Sequence, residues 1–257
     1  MGSTGTVPTR LGECEHVTAG VSFTGEHAVA TWDRAGNVVA HPQPDQGIIG
    51  SFGMGVRLNR QLSITANLPV RLSHRGHGAS SWGGGIGDAS ALLLVDPLEE
   101  RPKGPPVPIF MLGVRAPTGV DWTESKSPQA ADITGLPGVS VNLTAQLERT
   151  LNKTPYTLSF TGGVPFGAPV MRPTFTVSGT VGRYLGTSWS VLGGLRHQMN
   201  GLGTDRSHRT VVSARIVHGR PLSYRFYASL ESDVPSPFLG RSNPLFVRGS
   251  VGGVWVH

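Results

Sequence analysis

Asp205 and His208 stand three residues apart, close enough for a carboxylate to orient an imidazole as a general base. The nucleophile that such a pair would activate is missing. Ser207 adjoins His208 and so points to the opposite face of any strand, and His218 has no serine beside it. With no acid, base and nucleophile on one face, the chain reads as a non-enzyme. Five histidines could invite a metal: His74 and His77 in one polar segment, with His16, His208 and His257 elsewhere. Zinc needs three or four converging ligands, and no Cys or carboxylate accompanies His74 and His77, so neither metal nor cofactor is expected. Gly83-Gly84-Gly85-Ile86-Gly87-Asp88 has the composition of a phosphate cradle. Such a cradle follows a strand and opens a helix, whereas this segment precedes a strand in a chain without a helical pattern, and it reads as a flexible loop.

What remains are the arginines, and they become informative once the elements carrying them are read. Gln61 to Leu72 alternates without a break: every even position is apolar, every odd one polar or proline. Val139 to Glu148 does the same with the odd positions apolar. A helix would scatter these side chains around its surface, while a strand divides them into two faces. Weaker copies of the pattern predict strands near 16–23, 47–58, 61–73, 87–96, 107–117, 138–149, 155–166, 173–184, 188–198, 209–218, 223–233 and 245–256. Most exceed the usual five or six residues of a soluble strand and match the span of a tilted membrane strand. Residues 27–40 add a short hairpin around Asp33 to Asn37.

The connections alternate in length. Short turns fall at 59–60, 150–154, 185–187 and 219–222, with a longer Pro-rich one at 97–106. The intervening segments 24–46, 74–86, 118–137, 167–172, 199–208 and 234–244 are mostly longer. Short turns at one end and long loops at the other are the rhythm of a transmembrane barrel with both termini on the short-turn side. The fold class is therefore all-β, an antiparallel transmembrane up-and-down β-barrel of about twelve strands. Residues 1–15 are expected as a disordered or extended segment and 16–257 as a single barrel.

The polar face sets the direction of that barrel. It receives Arg57, Arg71, Arg115, Arg196, Arg215, Arg225 and Arg248 together with Asp88, Asp96, Glu148, Glu231 and Asp233, and lysine is nearly absent from the strands. A solvated exterior would carry more lysine, so the apolar face meets lipid and these charges line the lumen. Trp82, Trp122, Tyr156, Phe166, Phe175, Trp189, Tyr224 and Trp255 fall near strand ends, where an aromatic girdle sits. The surplus of arginine over acid on the inward face favours anions if the lumen is open. Ion pairs filling a closed lumen are the other reading, and about twelve strands lies between the two regimes.

The net charge of +6 comes from arginines spaced singly, without the basic runs and interleaved aromatics of a nucleic-acid surface, so no nucleic-acid partner is expected. The lone Cys14 excludes an internal disulfide. Residues 1–15 show no apolar core of a secretory signal, so an export signal is expected to be absent from this form of the chain.

Gly55-Val56-Arg57-Leu58, Gly85-Ile86-Gly87-Asp88, Ala116-Pro117-Thr118-Gly119 and Val251-Gly252-Gly253-Val254-Trp255 resemble segments of the small porin-like outer-membrane transporter barrels of proteobacteria, among them the phenol-degradation meta-pathway transporter family. The resemblance runs through nearly the whole chain on short, glycine-rich motifs. It implies a bacterial outer-membrane location, contact with outer-membrane lipid and lipopolysaccharide, and passage of a small solute. The expected function is a porin-like channel for passive passage of small, anionic or amphipathic solutes, with 118–137 or 24–46 as the constriction. The alternative is a structural barrel with a closed lumen that anchors partner proteins of the cell envelope.

Overall fold

The computed structural model describes residues 15–33, 37–41, 45–77, 79–97, 105–121, 123–127, 131–167, 172–201, 207–219, 223–235 and 244–257. All regular structure among them is strand. In chain order these are β1 (Val17–Trp32), β2 (Val38–Ala40), β3 (Asp45–Arg57), β4 (Leu62–His77), β5 (Ala79–Ile86), β6 (Ser90–Val95) and β7 (Val107–Arg115). They continue with β8 (Val139–Leu151), β9 (Thr154–Phe166), β10 (Thr174–Leu185), β11 (Trp189–Asn200), β12 (Ser207–Gly219), β13 (Tyr224–Asp233) and β14 (Leu245–Val256). Every neighbouring pair is antiparallel, and β14 pairs with β1 from Thr18↔Val256 to Ala30↔Leu245, which closes the sheet on itself. The short β2 hangs on the end of β1, and β5 and β6 share one wall position along β4, so fourteen strands make a twelve-stranded barrel. Closure leaves no main wall strand with a free edge in lipid, the requirement for crossing a bilayer as sheet.

Alternation puts the apolar residues outside. Phe52, Met54, Ile64, Leu68, Phe110, Leu143, Phe160, Leu195, Phe226 and Val251 all lie exposed on the outer face. The small polar residues Thr18, Ser22, Ser51, Ser63 and Ser250 are fully or nearly fully buried inside. A soluble barrel would invert this arrangement, so the belt is lipid-facing. Phe52, with 54% of its surface exposed, sits midway along β3 between Val21 and Leu68 on the adjoining strands. Phe52→Arg is expected to cost about 2–4 kcal/mol of folding stability, read as a lower urea midpoint in lipid vesicles.

The short connections follow local chemistry. Asn152 and Lys153 both adopt left-handed backbone (φ 47° and 67°), the conformation that a two-residue hairpin turn between β8 and β9 demands. The expected hairpin at 27–40 is present as β1 and β2, closed by Asp33, whose backbone N–H donates to the Asn37 carbonyl and whose carboxylate accepts the Asn37 N–H.

Two expectations are corrected. Strand β1 does not end near 23 but runs to Trp32. Residues 74–77 and 79–86 are not loop: β4 continues to His77, and the glycine-rich segment runs antiparallel beside it as β5, with Ile86 opposite Val70. Of the segment 1–15, expected as disordered or extended, only Glu15 lies within the described residues, where it is buried and ion-paired with Arg225.

One part of the lumen is apolar. Leu94 of β6 and Val107, Ile109 and Met111 of β7 turn inward and form a buried cluster, with Leu92 packed against it. Ile109 is wholly inaccessible. Since Phe110, Leu112 and Val114 cover the outer face, β7 is apolar on both sides and its sequence shows a continuous run in place of alternation.

Candidate functional site: the lumen cavity

The described part of the β7–β8 connection turns towards the barrel wall. Its residues 131–135 lie against the inner face of β5, where alternation brings Gly83, Gly85 and Gly87. A Cβ on Gly83 would stand 2.5 Å from the Asp132 amide nitrogen, so only glycine lets the connection approach this closely. Gly119 and Gly135 cross at a similar distance, a Cβ on Gly119 falling 2.8 Å from the Gly135 Cα. Ala131 is completely buried there. On its outward edge β5 pairs with β4 alone; towards the connection, Thr134 Oγ1 donates to the Ile86 carbonyl at 2.6 Å.

Asp88 fastens this inserted connection at both ends. It sits in the break between β5 and β6, where its carboxylate accepts the Gly119 N–H at 3.2 Å and the Leu136 N–H at 2.8 Å. It also pairs with the Arg115 guanidinium, with both side chains mostly buried. Arg115 in turn donates to the carbonyls of Leu136 (3.2 Å) and Gly138 (3.4 Å) and to Ser140 Oγ (3.0 Å). Thr118 completes the anchor, accepting the Ala89 N–H and donating to the Gly87 carbonyl. Within the connection, the Ser125 hydroxyl and the backbone N–H groups of Lys126 and Ser127 hold the Asp132 carboxyl below the usual carboxylate range, the hydroxyl contributing most.

Behind the inserted connection lies a cavity of about 620 Å³ inside the barrel. Of the lumen charges expected from sequence, Arg71, Arg115, Arg248 and Asp88 line it. Arg196, Arg215, Arg225, Arg57, Glu148 and Glu231 lie on inward faces but outside the cavity lining. Arg196 pairs with Glu231 at 3.4 Å, Arg215 lies 5.4 Å over the Tyr227 ring, and Arg57 donates to the Arg60 carbonyl at the short-turn end. Four lining charges went unread in the sequence: Glu26, Arg75, Arg172 and Arg209. Glu26 lies on the stretch of β1 taken for a loop, and Arg75 and Arg172 were likewise placed in loops. Arg209 follows the inward parity of Arg215 and was within reach of the same argument.

A buried ion network runs across the wall beside the cavity. Glu26 pairs with both Arg71 and Arg248, and Asp233 with Arg209 at 2.7 Å and Arg248 at 3.8 Å. Arg75 approaches Asp45 at 3.7 Å. The cavity is thus lined by six arginines and by the carboxylates of Glu26 and Asp88.

The aromatic set divides between the ends. Trp189, Tyr224 and Trp255 lie exposed at the short-turn end, where Tyr156 also falls; Phe166, Phe175 and Trp82 lie towards the long-connection end. Trp122 lies outside the described residues. The histidines do not assemble a metal site: His74 stacks on Trp82 and shares a hydrogen bond with Gln46, and no group of three metal-ligating side chains occurs among the described residues. His208 lies beside His197 at 3.3 Å, and Asp205 falls outside the described residues.

No family model matches the chain, and no curated protein does. Among solved structures, the chain is similar to the COG4313 outer membrane channel from Pseudomonas putida F1, at 16% identity and TM-score 0.72, covering 96% of this chain and 99% of that one. The translocator domain of the autotransporter NalP from Neisseria meningitidis is similar at 11% identity and TM-score 0.55, over 93% of this chain and 88% of that one. The CymD monoaromatic hydrocarbon channel is similar at 10% identity and TM-score 0.50, over 95% and 89%. These likenesses establish the fold as that of an outer-membrane β-barrel.

Proposed function

We propose that the protein is a porin-like channel of the bacterial outer membrane, passing small solutes passively and preferring anions. The observation that carries this reading is the set of six arginines lining a 620 Å³ cavity within a closed, lipid-belted barrel. Fixed positive charge in a space of low dielectric raises the local concentration of anions and repels cations, without needing a tight site. The inserted β7–β8 connection narrows the lumen beside those charges and acts as the constriction. Two proteins of this fold with solved structures are channels, which supports the reading.

Planar bilayers test it through the reversal potential in a potassium chloride gradient. The parent protein is expected to show a chloride-selective potential. Arg75→Gln with Arg172→Glu lowers the charge of the lining by three and is expected to bring selectivity to neutral or slightly cationic. Absence of current from correctly folded protein would overturn the reading.

The second reading is an anchoring barrel with a closed lumen. Its support is the inward apolar cluster of Leu94, Val107, Ile109 and Met111, buried where a water-filled channel would have polar walls. It predicts no current at any voltage and a partner protein that co-purifies after detergent extraction.

A further inference from the structure

The cavity wall is not uniformly charged. Besides the arginines, the cavity is lined by Leu92 from β6 and by Ile133 and Leu136 from the inserted connection. Leu92 also packs on the buried Leu94–Val107–Ile109–Met111 cluster, so the apolar wall is continuous with an apolar region deeper in the lumen. Chloride or a small polar anion would gain nothing from such a wall, and a neutral hydrocarbon nothing from the arginines. A solute with one compact anionic head and an apolar body uses both.

We infer that the cavity is a binding site for amphipathic monoanions, with short-chain monocarboxylates as the simplest members. A planar arginine guanidinium matches the two oxygens of a carboxylate, and six of them line the cavity. The tail then lies along Leu92, Ile133 and Leu136. The cavity volume exceeds that of a six-carbon acid several times over, so the molecule enters with water and leaves again, as conduction requires. This inference rests on the channel reading above and names its solute.

Acetate and hexanoate share a head group and differ by four methylenes. Added to purified full-length protein carrying a chloride current in a planar bilayer, hexanoate is expected to interrupt the current at about tenfold lower concentration than acetate, a partial share of what full burial of its tail would give. Hexylammonium, with the same tail and opposite charge, is expected to leave the current undisturbed. Leu92→Ser with Ile133→Ser is expected to bring the acetate-to-hexanoate ratio close to one. Because that ratio is taken within one variant, a change in overall current does not affect it. An anion-selective current that acetate and hexanoate interrupt equally would overturn this inference and leave the channel reading standing. So would interruption by hexylammonium at the hexanoate concentration. No current at all would overturn both.

Discussion

Asp88→Ala is expected to give the proposed channel a larger and noisier open state. The reason lies in where Asp88 stands. It is outside the strand ladders, between β5 and β6, yet its carboxylate accepts the N–H of Gly119 near the start of the inserted connection and of Leu136 near its end. It also neutralises Arg115, which holds the Leu136 and Gly138 carbonyls from the other side. Hydrogen bonds to a charged group contribute about 1.5–3 kcal/mol each. Losing both from Asp88, with a mostly buried guanidinium left uncompensated, amounts to several kcal/mol. A bias of about 5.5 kcal/mol carries a two-state equilibrium from one extreme to the other. The barrel wall itself should survive, since β4, β6, β7 and β8 keep their ladders.

Gly83→Val reaches the same end by another route, because a Cβ there meets the Asp132 backbone, which cannot rotate away as a flexible side chain would. Single-channel conductance of both variants is the measurement, with cleavage of the connection by added protease as a second readout. If both variants conduct and resist protease like the parent, the connection is neither latched by Asp88 nor the constriction.

That latch was invisible in the sequence, for a definite reason. A strand announces itself through side chains that alternate in polarity, and β5 carries Gly83, Gly84, Gly85 and Ile86 at its end. Glycine has no side chain to alternate, so the segment had the composition of a flexible loop. The property that hid the strand is the one the packing needs, since the inserted connection approaches the backbone of β5 directly. The outer rows of β4 and β8 were legible because lipid contact favours apolar residues on one face, and from Leu62 to Leu72 and from Val139 to Leu147 they follow one another unbroken. In β1 the outer row passes through Gly25 and His27, which broke the pattern and concealed four further turns of the ladder with β3, including Glu26↔Gly47. Strand parity could place an arginine inside the barrel but not name its partner. Arg71 on β4 meets Glu26 on β1, which is two wall positions away, and Arg225 on β13 meets Glu15 ahead of β1. Such pairs are set by closure and register, neither of which hydropathy encodes. The inserted connection likewise follows from interactions made across the lumen rather than along the chain.

The second large effect is expected at Asp233. Its side chain has no accessible surface, and it accepts from Arg209 Nε at 2.7 Å and Nη2 at 3.1 Å and from the Phe246 N–H at 2.8 Å, with Arg248 Nη1 3.8 Å away. The desolvation of two guanidiniums is thus offset in large part by one carboxylate. Asp233→Ala removes it and leaves both cations in a space of low dielectric, a change that costs about 3–5 kcal/mol when one partner of a buried pair is lost. Removing the cation as well should return part of that loss. Asp233→Ala with Arg209→Ala is therefore expected to be more stable than Asp233→Ala alone, though below the parent, because Arg248 has lost one of the two carboxylates that pair with it among the described residues and keeps Glu26. Urea unfolding in lipid vesicles, read by tryptophan fluorescence, measures all four corners of this cycle. Glu231→Gln makes an informative comparison. Its partner Arg196 keeps more exposure than Arg209, so water can replace the missing charge and the loss should be smaller. If Asp233→Ala and Glu231→Gln cost the same, or if the double variant is no better than the single one, the network does not stabilise the barrel through charge compensation.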